Sequence, residues 1–306
     1  MTDHVSSQAP SGRRPGSSDG IIRVGTCAWG DHEDFYPPGL KPTDRISYYA
    51  RRYPVVEVNA SYYHLLPQRN YAGWAAKTPD DFTFNVKAYG QLTQHDRDEP
   101  PTAEAFAAFR ESYLPLVEAS KLGAVLFQFP PWFTNEPRQR TFLGRVAREM
   151  EGDQVVVEFR HTSWLIPDHA PKTLALLNEL NLGYVIVDAP QVGDGTAPLV
   201  PAVTDPDIAY IRLHGRNTHT WYRKVKTTGE RFDYLYSAQE LEELVPRVRE
   251  LAHRATEVHV MFNNNRRNYA TVNAEQMMRL LGQLDRPPES DQGVQLPLID
   301  QPESAE

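Results

Sequence analysis

Polar side chains sit in this chain where a buried strand should carry none. Glu57 and Asn59, Asn85 and Lys87, Gln128, Glu158 and Arg160, Asp188, Arg212 and His214, and Asn263 each lie near the C-terminal end of a short run rich in Val, Ile, Phe and Tyr. Where two share a run they are two residues apart. Strand side chains alternate faces with a period of two, so each pair shares a face. An unpaired buried charge is costly, and buried ion pairs stabilise poorly beside apolar packing. So large a convergence points to a ligand. For a single pair such as Glu158 with Arg160, mutual neutralisation is an equal alternative.

The balance of signs narrows the chemistry. Lys87, Arg160 and Arg212 are cations, His214 can add part of another, and Glu57, Glu158 and Asp188 are carboxylates. A dinuclear metal site needs mainly carboxylates and imidazoles. A mixed set suits a small anionic or sugar-like substrate, with Arg and Lys clamping phosphate or carboxylate and a carboxylate moving protons. Glu158 is the expected acid/base, with His214 as a second acid/base or ligand and Glu57 beside them. Lys87, Arg160 and Arg212 form the clamp, and Asn59, Gln128, Asp188 and Asn263 are expected to line the substrate. Lys87 would serve as a Schiff-base amine if neighbouring cations lowered its pKa; an ion pair with Glu57 or Glu158 is the simpler expectation. No cofactor is expected. A single divalent metal on Glu158, Asp188 and His214 is the alternative, although the chain has no HExxH or CxxC. That alternative would make the protein a metal-dependent hydrolase or phosphodiesterase, with nucleic acid among its candidate substrates. A third reading is a non-catalytic metabolite-binding protein.

Aromatic residues cluster near the same ends. Trp29 and Tyr63 are expected to contact substrate, and Tyr62, Trp132, Trp221 and Tyr222 lie close in sequence. Helix packing competes for many of them. The long segment 216–236 mixes basic and aromatic residues and reads as a lid or binding loop. Among loop histidines, His161 directly follows the Glu158–Arg160 pair and is favoured over His95 and His219. Cys27, the one cysteine, reads as a small buried residue.

These positions need strands to hold them. Eight runs fit: 21–29, 55–63, 82–88, 124–130, 155–160, 184–189, 208–214 and 257–263. Their near-continuous apolar character suits a parallel sheet buried on both faces. Helical patterns separate most of them, at 44–52 with Thr43 as N-cap, 68–76, 103–119, 138–150, 171–180 stopped by Gly183, and 272–281. Ser237 with Glu240 forms a capping box for a helix reaching about His253. Four prolines in 190–207 exclude a regular helix between the sixth and seventh strands. The pattern predicts a single-domain (β/α)8 barrel of the TIM type, whose sites lie at the C-terminal strand ends.

The chain of 306 residues carries a formal charge of −8. Residues 285–306 hold six acids against Arg286, and residues 1–20 balance to zero, so the body 21–284 is only slightly acidic at −3. That disfavours broad electrostatic binding of duplex nucleic acid. Both tails are rich in residues that favour disorder. One cysteine, no leader-like apolar run and no long apolar stretch predict a cytoplasmic protein with no membrane partner. Nothing in the sequence fixes the oligomeric state.

The motifs also resemble a known family. GTCAW (25–29) with FYP (35–37), YYARRYPVVEVNASYY (48–63), FNVK (84–87), LGAVLFQFPPWF (122–133), VEFRHTSW (157–164), RLHGRN (212–217), FDYLYSAQEL (232–241) and FNNN (262–265) resemble, in order, the YecE-like family, DUF72. The resemblance spans about 21–284 and implies a TIM-type barrel, but no reaction. Its motif residues coincide with Glu57, Asn59, Lys87, Gln128, Glu158, Arg160, Arg212, His214, Asn263 and Asn264. The chain departs at Cys27–Ala28, where the family more often has Ser-Gly. It departs again at Thr93-Gln94-His95, where the familiar Thr-His gains a residue and casts doubt on His95.

Overall fold

The computed structural model describes residues 19–219, 221, 223 and 228–284. Residues 1–18 and 285–306, which carry most of the two tails, lie outside them. Strands β1 (Ile21–Cys27), β2 (Val55–Val58), β3 (Thr83–Lys87), β4 (Leu122–Gln128), β5 (Val155–Glu158), β6 (Gly183–Asp188), β7 (Ile208–Leu213) and β8 (Glu257–Phe262) pair in order and close into a barrel. Every pairing is parallel, including the closing pair in which Val24 meets Val260. The (β/α)8 expectation holds.

Alternation sorts each strand's side chains into two cores. Val55, Ala124, Leu126, Val156, Val187 and Met261 fill the barrel interior. Their sequence neighbours Val56, Val125, Phe127, Val157, Ile186 and Phe262 pack outward under the helices. Both layers exclude water, which is why these runs look apolar throughout.

The helices depart from expectation in instructive ways. The pattern 103–119 splits into α3 (Ala103–Ser112) and α4 (Leu114–Glu118), because Pro115 supplies no N–H and crowds the preceding turn. Helix α1 (Arg45–Ala50) is capped by Asp44 without a side-chain bond, and Thr43 lies in the preceding 3₁₀ turn. Helix α2 is Gln68–Ala75 and α5 is Pro137–Glu149. Helix α6 (Ala170–Glu179) is followed by Asn181 at φ 52°, while Gly183 opens β6, so the left-handed stop falls on the asparagine. After the short α7 (Thr228–Arg231), helix α8 (Ala238–Ala252) carries the full Ser237–Glu240 capping box. Helix α9 is Tyr269–Leu280. Residues 189–207 cross from β6 to β7 without a helix. No helix among the described residues is long and apolar enough to cross a membrane.

Candidate active site at the C-terminal mouth

Strands β2, β5 and β7 aim Glu57, Glu158 and Arg212 into the barrel. The Arg212 guanidinium lies between the two carboxylates, donating from Nη2 to Glu57 Oε1 at 2.6 Å and from Nη1 to Glu158 Oε2 at 2.5 Å. It is 1% exposed and both carboxylates are 0% exposed, so this is a closed ionic girder across the mouth. Tyr210 occupies the remaining Glu57 oxygen at 2.8 Å. Arg160 Nε lies 2.7 Å from Glu158 Oε1, and His214 Nε2 lies 3.2 Å from the same oxygen. Burial alone would raise the Glu158 pKa; the Arg160, Arg212 and His214 contacts outweigh it and hold the carboxyl well below the usual range.

These contacts fix His214. A carboxylate can only accept, so Nε2 carries the proton and Nδ1 accepts from Asn263 Nδ2 at 2.8 Å. Burial, then the nearby Arg160, pulls the His214 pKa down to about 3, and its ring stacks on Phe232. The acid/base roles expected of Glu158, His214 and Glu57 therefore meet atoms already committed. Glu57 faces Arg212, Glu158 faces Arg160 and Arg212, and His214 faces Glu158.

The open part of the mouth is different. Gln128 Oε1 accepts from Lys87 Nζ at 3.0 Å, Arg160 Nη2 at 3.2 Å and Arg212 Nη1 at 3.4 Å. Three cations thus converge on one neutral oxygen, and they outnumber Glu57 and Glu158 by one charge. Arg160 keeps 11% of its side chain exposed, and Lys87 and Gln128 are half-buried. Arg212 Nε and Asn59 Oδ1 are buried without a partner among the described residues. Lys87 has no carboxylate partner among the described residues. Its ammonium lies 4.7 Å from the Tyr62 ring centre, and burial and then Arg212 lower its pKa to about 8. The ion pair with Glu57 or Glu158 is not made.

Other expected residues fall elsewhere. Asp188 and Asn264 point to the outer face. Asp188 takes a forked bond from Arg216, at 3.0 and 2.7 Å, and a bond from Tyr236 Oη at 2.8 Å. Asn264 donates to Asn273 and to the Tyr234 carbonyl. Both fasten the base of the segment after β7. Asp188 cannot join Glu158 and His214 on one ion, and no group of three His, Cys, Asp or Glu among the described residues is placed to hold a metal. Trp29 packs edge-on against Trp74 of α2. Tyr63 is 68% exposed and touches Tyr62 rather than the cup. Asn85 sits a layer lower, accepting from Ala124 N at 3.0 Å beside a break in the β3–β4 register. Gly123 fits there because a Cβ would meet Asn85 Oδ1 at 2.7 Å.

Tyr210, inside an apolar run, supports Glu57 and escaped the sequence reading. In the segment read as a lid or binding loop, Arg216 holds Asp188, and Trp221, buried, places its ring 5.7 Å from the Arg160 guanidinium. Tyr222 lies outside the described residues. His95 also belongs near the cup: the extra residue Gln94 takes a left-handed conformation at φ 58°, and the His95 ring lies 5.0 Å from that of Tyr62. Burial and the charges of Lys87 and Arg160 lower its pKa to about 4. His161 instead caps a 3₁₀ turn through Ser163 and lines an outer groove with Trp132 and Arg97. The Cys27 thiol is buried beside Glu57 and is pushed up, so it stays protonated.

The buried neutral histidine sets a pH dependence. The His214 pKa is lower folded, about 3, than its ordinary 6.5, so the unfolded chain takes up the proton first. Its contribution is complete above 6.5 and is lost as pH falls toward 3, at up to about 1.4 kcal/mol per pH unit. Urea midpoints between pH 7 and 4 should fall steeply, and less so in His214→Asn. A profile unchanged by that substitution would contradict the assignment.

Comparison with known proteins agrees with the barrel fold. The sequence model of the family described as protein of unknown function DUF72 matches residues 23–294. The UPF0759 protein YunF of Bacillus subtilis is 37% identical over 267 residues, covering 85% of this chain and 95% of that protein. The solved structure of a DUF72 family protein from Enterococcus faecalis superposes with a TM-score of 0.80 at 30% identity, covering 87% of this chain and 97% of that one. One from Thermotoga maritima gives 0.77 at 33% identity, covering 86% and 99%. The chain belongs to the DUF72 family.

Proposed function

We propose that the protein is an enzyme acting on a small anionic substrate, of phosphate or carboxylate type, at the C-terminal mouth of the barrel. The observation that carries this reading is the convergence of Lys87, Arg160 and Arg212 on Gln128 Oε1. An oxyanion there would meet charge-assisted donors already oriented by Glu57 and Glu158. Lys87 is the proton-transfer group of this reading, because its pKa lies near neutrality and its amine is not engaged by a carboxylate.

Inorganic phosphate and sulfate are the first probes. Saturable binding is expected, followed through Trp221 fluorescence beside Arg160 or by calorimetry. Arg160→Met should weaken it about tenfold or more, the loss of one charge-assisted contact worth roughly 1.5–3 kcal/mol. Binding should also weaken above pH 8, as Lys87 loses its charge. No binding of phosphate, sulfate or small carboxylates at millimolar concentration would refute the reading.

A further inference from the structure

We propose that Lys87 works covalently, its amine forming an imine with the carbonyl carbon of a small aldehyde or ketone that also carries a phosphate or carboxylate group. This rests on the anion-site reading and names its substrate class. A lysine kept for stability has its ammonium enclosed by acceptors, as Lys121 does in the Ala75 and Thr78 carbonyls and the Thr78 hydroxyl. Here Glu57 is taken by Arg212 and Tyr210, and Glu158 by Arg212, Arg160 and His214. Lys87 is left with an amide oxygen at 3.0 Å and the face of Tyr62. Neither removes the repulsion of two permanently charged guanidinium groups, and the lysine is the member that can relieve it by losing a proton. With a pKa of about 8, roughly one amine in ten is free at pH 7, against about one in three thousand for an ordinary lysine.

The same arginines orient the reaction. An anionic group on Arg160 and Arg212 brings the rest of a small molecule beside Nζ. The amine lone pair attacks the carbonyl carbon as the C=O π pair moves to oxygen. A proton passes from nitrogen to that oxygen. The proton that the Lys87 ammonium gives up to His95 Nε2 before the attack is returned to the resulting hydroxyl, which leaves as water while the nitrogen lone pair forms the C=N bond. The product is a protonated imine with one water released and no redox change. His95 is the nearby proton carrier. Thr93 Oγ1 donates to the Gly90 carbonyl at 3.1 Å, so it accepts from His95 Nδ1–H at 2.7 Å. Nε2 of the neutral ring then keeps its lone pair.

The test is reductive trapping. The full chain is incubated with pyruvate, glyoxylate or dihydroxyacetone phosphate, reduced with sodium borohydride, and mapped by mass spectrometry. The expected result is one adduct per chain, on Lys87, suppressed by inorganic phosphate. Its rate should reach half-maximum near pH 8, not near 10.5. Lys87→Arg keeps the charge and should give no adduct. No adduct on Lys87 from any of these compounds overturns the proposal, as does labelling spread over surface lysines without phosphate protection. Phosphate binding is measured separately by calorimetry. Binding without an adduct overturns the covalent role and leaves the anion site standing; an adduct on Lys87 without phosphate binding does the reverse.

Discussion

Glu158→Gln should cost about 3–5 kcal/mol of folding stability, the penalty for breaking a buried ion pair from one side. The acid/base role expected of Glu158 from the sequence carries the opposite consequence, lost turnover at an unchanged melting temperature. The geometry decides between them. Glu158 is 0% exposed and both oxygens are committed, to Arg212 on one side and to Arg160 and His214 on the other. A glutamine presents one acceptor and one NH2. Whichever way it turns, an N–H meets a guanidinium or the His214 N–H. The Glu57 carboxylate is then left to balance Arg212, Arg160 and Lys87. The loss should appear as a lower urea midpoint with an unchanged slope. A Glu158→Gln protein of wild-type stability would return Glu158 to the role of proton carrier and would undo the view that it positions the arginines.

The same residue shows how far the sequence could be read. The fold was legible because β-branched and aromatic runs alternated with helical spacing, and because Ser237 and Glu240 form a local cap. The pairs Glu57–Asn59, Glu158–Arg160 and Arg212–His214 were legible as sharing faces, since period two needs no tertiary information. Which face looks inward does need it. Asp188 continues the outward row of Tyr184 and Ile186, and an isolated polar residue at a strand end gives no parity to count from. Its partner Arg216 lies past the next strand and becomes a neighbour only when β6 and β7 pair. Asn264 follows the inward Asn263 directly, so the two cannot share a face. His95 was obscured by one extra residue, whose left-handed conformation no spacing rule anticipates. Roles were harder still: three carboxylates and three cations can be listed from sequence, but their pairing separates a reactive group from a strut.

That pairing leaves Lys87 as the residue whose removal should separate function from stability. Its pKa is lower in the folded protein, about 8, than its ordinary 10.5. Its stabilising contribution is therefore present above pH 10.5 and is lost as pH falls through 8, so at pH 7 the charged amine opposes folding. A shift of this size corresponds to a few kcal/mol; with the side chain half-buried and screened, about 1–3 kcal/mol is the reasonable expectation. Lys87→Met, similar in length and without charge, should thus melt no lower than wild type. Wild type should gain stability between pH 8 and 10 relative to the variant. The same substitution should weaken phosphate binding about tenfold or more, one ionic contact being removed from the clamp. Chemical denaturation across pH and phosphate calorimetry on the one variant supply both readings. A Lys87→Met protein that loses several kcal/mol would mean that the amine holds the barrel mouth together, and neither the anion site nor the imine would then have a reason to exist. Stabilisation together with lost binding is the pattern of a group retained for chemistry at the expense of the fold.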